Sequence, residues 1–233
     1  MIKPTLLVLL SLDFLISCKT LEEASMHGLT SGYYALGVEK KKDQDVYADV
    51  SNDQIDVYPL KDGQLNKSNP LNIPLLYTES LMVQEIVLKK QSLDIDLTSI
   101  LLKYRPTVHG STPQLTSELN IALYAGWRHD QHRISTVKDP LGKYHPKIRN
   151  LGYDFGFFAG PGTTMITPFT TNGKRADEYS GMIIQAGVAG FLESNVASFG
   201  LSIGFDHLLN ADRNIWIYQQ KPWVGFIVGI ALN

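Results

Sequence analysis

Leu151-Gly152-Tyr153-Asp154-Phe155-Gly156-Phe157-Phe158-Ala159-Gly160 is the stretch whose reading decides the fold. Leu151, Tyr153, Phe155, Phe157 and Ala159 place an apolar residue at every second position, and Gly152, Asp154, Gly156 and Gly160 fall between them, with Phe158 the one exception. A period of two is the signature of a strand, whose side chains alternate between faces. One face is apolar and the other is nearly bare. A sheet face in water favours Thr, Lys, Glu or Tyr, because Gly weakens a strand and gains nothing from exposure. Small residues fit instead the confined interior of a narrow closed barrel.

The same split recurs on both sides of this segment. Ala197, Phe199, Leu201, Ile203 and Phe205 alternate with Ser198, Gly200, Ser202, Gly204 and Asp206; Val224, Phe226, Val228, Ile230 and Leu232 alternate with Trp223, Gly225, Ile227, Gly229 and Ala231. Leu119, Ile121, Leu123, Ala125 and Trp127 oppose Asn120, Ala122, Tyr124, Gly126 and Arg128. Leu93, Ile95 and Leu97 oppose Asp94, Asp96 and Thr98, and a bulge expected at Ser99 carries Ile100, Leu102 and Tyr104 onto the apolar face. Met182, Ile184, Ala186 and Val188 complete six clear strands. The predicted fold is all-β: an antiparallel meander barrel of about eight strands over 81–233, completed from 31–60 or 82–90 or by oligomerisation. Asp94, Asp96, Arg128, Asp154 and Asp206 are expected in its interior, paired with one another or with water. Trp127, Trp216, Tyr218 and Trp223, near strand ends, are expected to form interfacial girdles.

Before the barrel, residues 19–80 read as a small β-section and linker. Its candidate strands are Tyr33-Leu36, Asp45-Val50 and Ile55-Leu60, with a hairpin connection at Ser51-Gln54 and a Pro- and Asn-rich connector at Asn69-Pro74. Composition narrows the function classes. With 233 residues, 21 Lys+Arg against 23 Asp+Glu and a net charge of −2, the chain is no nucleic-acid coat, and its single cysteine excludes a disulfide framework. No motif for chemistry emerges. His129-Asp130-Gln131-His132 places two imidazoles three apart, on opposite faces of a strand, and so reads as a polar hairpin loop without a metal. Gly160-Pro161-Gly162-Thr163-Thr164 lacks the lysine and helix of a phosphate loop and reads as a turn. No cofactor is expected, and the chain is expected not to be an enzyme.

At the N-terminus, Lys3 precedes the apolar run Leu6-Leu10, and Leu15-Ile16-Ser17-Cys18 ends in the only cysteine. This is a secretory signal. Its last four residues resemble the bacterial lipobox, which implies cleavage before Cys18 and acylation of that residue. Lys19-Thr20-Leu21-Glu22-Glu23 loosely resembles the signal that sends some Gram-negative lipoproteins to the cell surface. From residue 90 onward the alternation, with Gly204-Leu209, Ile215-Tyr218 and Lys221-Phe226, resembles the outer-membrane β-barrel class and envelope proteins with a lipoprotein signal. The resemblance implies a lipid-anchored outer-membrane protein with a structural or interaction role, partnered by the bilayer through Cys18 and the barrel exterior, and by envelope proteins. The alternative is a soluble lipocalin-like lipoprotein whose apolar face turns inward around a hydrophobic ligand.

Overall fold

The computed structural model describes residues 29–37, 43–61, 63–75, 85–108, 110–193 and 198–231; Cys18 and the signal segment lie outside them. The described chain is all-β. Its strands are β1 (Gly32–Gly37), β2 (Gln44–Val50), β3 (Gln54–Lys61), β4 (Gln64–Leu65), β5 (Leu71–Pro74), β6 (Ile86–Arg105), β7 (Gln114–Thr116), β8 (Ile121–Lys138), β9 (Tyr144–Ile166), β10 (Tyr179–Glu193), β11 (Ser198–Leu208) and β12 (Pro222–Ala231). All pairings are antiparallel, and they link the 12 strands into one continuous hydrogen-bonded network that forms a ring and a second sheet.

Six of these strands close on themselves. β6, β8, β9, β10, β11 and β12 each pair with the next, and β12 returns to β6. The ring has six strands where the sequence suggested about eight, and it is not a regular barrel. The β6–β8 ladder stops at Ser99, and β7 takes over the same edge of β6 from Lys103 to Arg105. Between the two, Phe226 faces Leu102 while Ile227 faces Ile100, so Leu101 is an extra residue in β6. The bulge therefore lies at Leu101, not at Ser99. Ile100 turns inward, Leu101 and Leu102 both face out, and Lys103 and Arg105 enter the interior.

The long strands β6, β8 and β9 run past one end of the ring into a second sheet, where β1 pairs with β6 and is followed by β2, β3 and β5. The connector Asn69-Pro74 thus supplies a strand. Ser51 closes the β2–β3 hairpin through its backbone N–H and hydroxyl, both bonded to the Gln54 carbonyl. This second sheet has its own core, built from Leu29, Tyr34, Val46, Ile55, Val57, Ile73, Leu88 and Ile134. Its outer face is polar, with Asp45, Asp49, Lys147 and Arg149 exposed.

His129-His132, expected as a hairpin loop, is strand, as are 133–138 and 144–150; the β8–β9 turn itself spans only 139–143. Gly160-Pro161-Gly162 is strand as well. A Cβ on Gly160 would lie 2.2 Å from the Ile121 carbonyl oxygen, so the glycine marks a close approach of β8 to β9 rather than a turn.

An apolar belt around a charged interior

The ring's outer surface is apolar all the way round. Leu123, Phe155, Phe157, Met182 and Leu201, from four different strands, are between 59 % and 67 % exposed. Ile95 and Leu97 on β6 and Val224 and Phe226 on β12 close the circuit. On β9 the outward run from Leu151 to Ala159 covers eight residue steps, about 27 Å along the strand and about 20 Å high at a tilt near 40°. Polar elements flank it on both sides. The second sheet stands at one end, and exposed Lys174, Arg175, Asp177 and Glu178 lie at the other.

Aromatic residues lie at both margins of the belt. Trp127, 62 % exposed, and Tyr153 face out beside the second sheet, and Tyr104 and Phe169 face out at the opposite end. The other three aromatics assigned to girdles turn inward. Trp223, Trp216 and Tyr218 are 1 % to 3 % exposed. Trp223 falls in the inward phase of β12, and Trp216 and Tyr218 belong to the β11–β12 connection, which folds across the end of the ring and caps it. That cap packs on Ile166, Ile183 and Leu208, and the Ile217 N–H donates to the Thr170 carbonyl at 3.0 Å. The Trp223 indole N–H meets a partner inside the ring, whereas Trp216 and Tyr218 offer their ring faces to Arg105 and their polar atoms have no hydrogen-bond partner among the described residues.

Inside, charges are grouped by height. At the capped end Asp206 gathers three donors. Lys103 Nζ lies 3.0 Å and 3.2 Å from its two oxygens, Arg105 Nη2 donates to Oδ2 at 2.5 Å, and the Trp223 indole N–H donates to Oδ1 at 2.9 Å. Both cations also sit over rings. Lys103 Nζ is 4.6 Å from the Trp223 ring centre, and the Arg105 guanidinium carbon is 5.3 Å from those of Trp216 and Tyr218.

At the other end, Asp94, Asp96 and Asp154 are buried, and the Tyr124 hydroxyl donates to Asp154 at 2.5 Å. Arg128 lies just beyond them at the junction with the second sheet, half-buried, its Nε donating to both oxygens of Asp130 at 3.0 Å. Asp206 is thus separated from the other three carboxylates by the height of the ring. Between the two groups Ile100, Tyr124, Phe158, Phe191 and Ile227 fill the cross-section. Glycines make room for the large ones: a Cβ on Gly204 would lie 2.5 Å from the Trp223 ring, and one on Gly126 would lie 2.3 Å from the Tyr124 oxygen.

This polarity differs from that of a barrel holding a hydrophobic ligand: Leu123, Phe155, Phe157 and Leu201 point out, and the interior holds four buried Asp side chains around a middle that Ile100, Phe158, Phe191 and Ile227 fill. His129 and His132 face opposite sides of β8, the first stacked on Tyr153 and the second buried with Nδ1 2.8 Å from Asn150 Oδ1. Lys103 and Arg105 were not singled out in the sequence, although a cation inside an otherwise apolar run is the signal that marks them. The chain matches no known family model, no curated protein and no solved structure.

Proposed function

We propose that this protein is a non-enzymatic, lipid-anchored component of the bacterial outer membrane, with its six-stranded ring in the bilayer and its second sheet in the water on one side. The observation that carries this reading is the continuous exposed apolar belt enclosing a charged interior. A belt of this extent in water would be far larger than the apolar patches monomeric proteins expose. In lipid the closed ring satisfies its backbone hydrogen bonds internally, as any spanning segment must. Among the described residues the middle of the interior is packed with side chains and one end is capped, which leaves no through-path for solutes. A structural or interaction role suits it better than transport. Lys103, Arg105 and Asp206 hold one another in place, which favours a structural role for this group. Acylation of Cys18 adds a second anchor on the N-terminal side of the second sheet.

Fractionation of cells expressing the chain, with and without Cys18→Ala, tests this. The expected result is that the variant with a retained signal stays in the outer-membrane fraction, resists alkaline carbonate extraction and shows heat-modifiable migration on a gel. Release of a folded, soluble protein would show that lipid is the sole anchor and would overturn the bilayer placement of the ring.

A further inference from the structure

The outward face of β8 and β9 runs through the margin of the belt toward the second sheet. Past Trp127 and Phe155, the paired outward positions are His129 with Tyr153, Gln131 with Leu151, Arg133 with Arg149, and Ser135 with Lys147. His129 lies flat on Tyr153, with ring centres 5.1 Å apart and planes 2° from parallel. Within one pair of strands the face passes from apolar to aromatic to cationic. That is the order of a bilayer leaflet from acyl chain through interface to phosphate. Leu151 is the last outward apolar residue of β9, and Arg149 is the next outward position, about 7 Å farther along the strand.

The register sets Arg133 directly opposite Arg149. Like charges facing one another across an antiparallel pair repel. Glu85 answers Arg133 at 3.1 Å, whereas Arg149 and Lys147, both exposed, have no carboxylate partner among the described residues. An anion shared between the two guanidinium groups removes the repulsion and accepts their planar, forked donors. Resting on the membrane reading above, we infer that Arg133, Arg149 and Lys147 form a headgroup site for an anionic phospholipid, whose acyl chain lies along Trp127 and Phe155.

Trp127 provides the readout, because Trp216 and Trp223 are buried and it alone of the three tryptophans faces out. The full chain is reconstituted in phosphatidylcholine vesicles containing a minor fraction of brominated phosphatidylglycerol or, separately, the same fraction of brominated phosphatidylcholine, at low salt. The expected result is quenching of Trp127 that indicates an enrichment of phosphatidylglycerol at the protein of at least about fivefold, the factor that about 1 kcal/mol from a single basic residue at a lipid surface gives. Arg133→Gln with Arg149→Gln should reduce the enrichment to none, and Lys147→Gln should reduce it in part; Trp127→Phe should remove the signal. Equal quenching by both lipids in the unaltered chain overturns the headgroup site and leaves the ring in the bilayer. Quenching by neither overturns both proposals. A preference that survives in the double variant, or that inorganic phosphate abolishes at matched ionic strength, overturns the lipid site as well, the second result reassigning the cations to a free anion.

Discussion

Lys103 Nζ lies 3.0 Å from Asp206 Oδ1, tying β6 to β11 across the interior although β12 separates them in the sheet. The two residues are 103 positions apart in the chain. Arg105 and Trp223 complete the shell of Asp206, so this one carboxylate holds two cations and an indole. Asp206→Asn leaves two buried cations without a counter-charge. The expected loss is about 3–5 kcal/mol of unfolding free energy in urea titrations in detergent micelles. Asp206→Leu combined with Lys103→Met and Arg105→Met should regain most of that loss, because an apolar set of similar volume avoids the desolvation cost. A loss below 1 kcal/mol in the single variant would mean that the cluster is hydrated in solution.

Gly204 sits beneath the Trp223 ring, where a Cβ would lie 2.5 Å from a ring carbon. Gly204→Val should therefore destabilise the ring by about 1–3 kcal/mol through overpacking. Adding Trp223→Ala should cost less in the Gly204→Val background than in the unaltered chain, a coupling that a double-mutant cycle measures. Additive losses would show that the two positions do not share space.

The period-two alternation made the outward and inward sets of β8, β9, β11 and β12 legible, because burial on one face alone leaves that trace in a sequence. The bulge was misplaced for a related reason. Ser99 looks like a break in the apolar phase, yet it remains outward-leaning with its hydroxyl donating to the Asn120 carbonyl at 3.1 Å. The true extra residue is Leu101, followed by Leu102, and two adjacent leucines carry no sign of which one is inserted. The shift reverses only Ile100 and Leu101; Lys103 and Arg105 fall in the inward phase with the bulge at either position. Their partner lies on β11, and register across a ring is invisible to local patterning. Trp216, Tyr218 and Trp223 fit a girdle by sequence because an aromatic at a strand end has the same sequence context whether it faces lipid or folds under a cap.

His132 belongs to the second sheet, buried beside Tyr34 with ring centres 5.8 Å apart. Burial holds its pKa below the ordinary 6.5, opposing the hydrogen bond to Asn150 that favours the charged form. The unfolded chain therefore takes up the proton first as pH falls below about 6.5, and the folded state loses stability until the folded pKa is passed. The melting temperature of the full chain should fall between pH 7.5 and 5.5, and the slope should be shallower in His132→Gln. An unchanged slope in that variant would place the pH sensitivity elsewhere.

Leu201 and Leu141 are both highly exposed, 67 % on the belt and 83 % at the β8–β9 turn, yet they sit in different solvents if the ring lies in a bilayer. In water, an exposed Leu→Arg change alters stability by about 0.5 kcal/mol or less, since neither state buries the charge. At the hydrocarbon midplane the same change on a lipid-facing strand costs about 2–4 kcal/mol. Leu201→Arg and Leu141→Arg should therefore differ by at least about 1.5 kcal/mol in urea unfolding from phosphatidylcholine vesicles. The difference should shrink in micelles of a short-chain detergent, which deform around a charge. Equal, small effects of both substitutions in vesicles would mean that water reaches Leu201, and the belt would then have to be covered by protein instead of lipid.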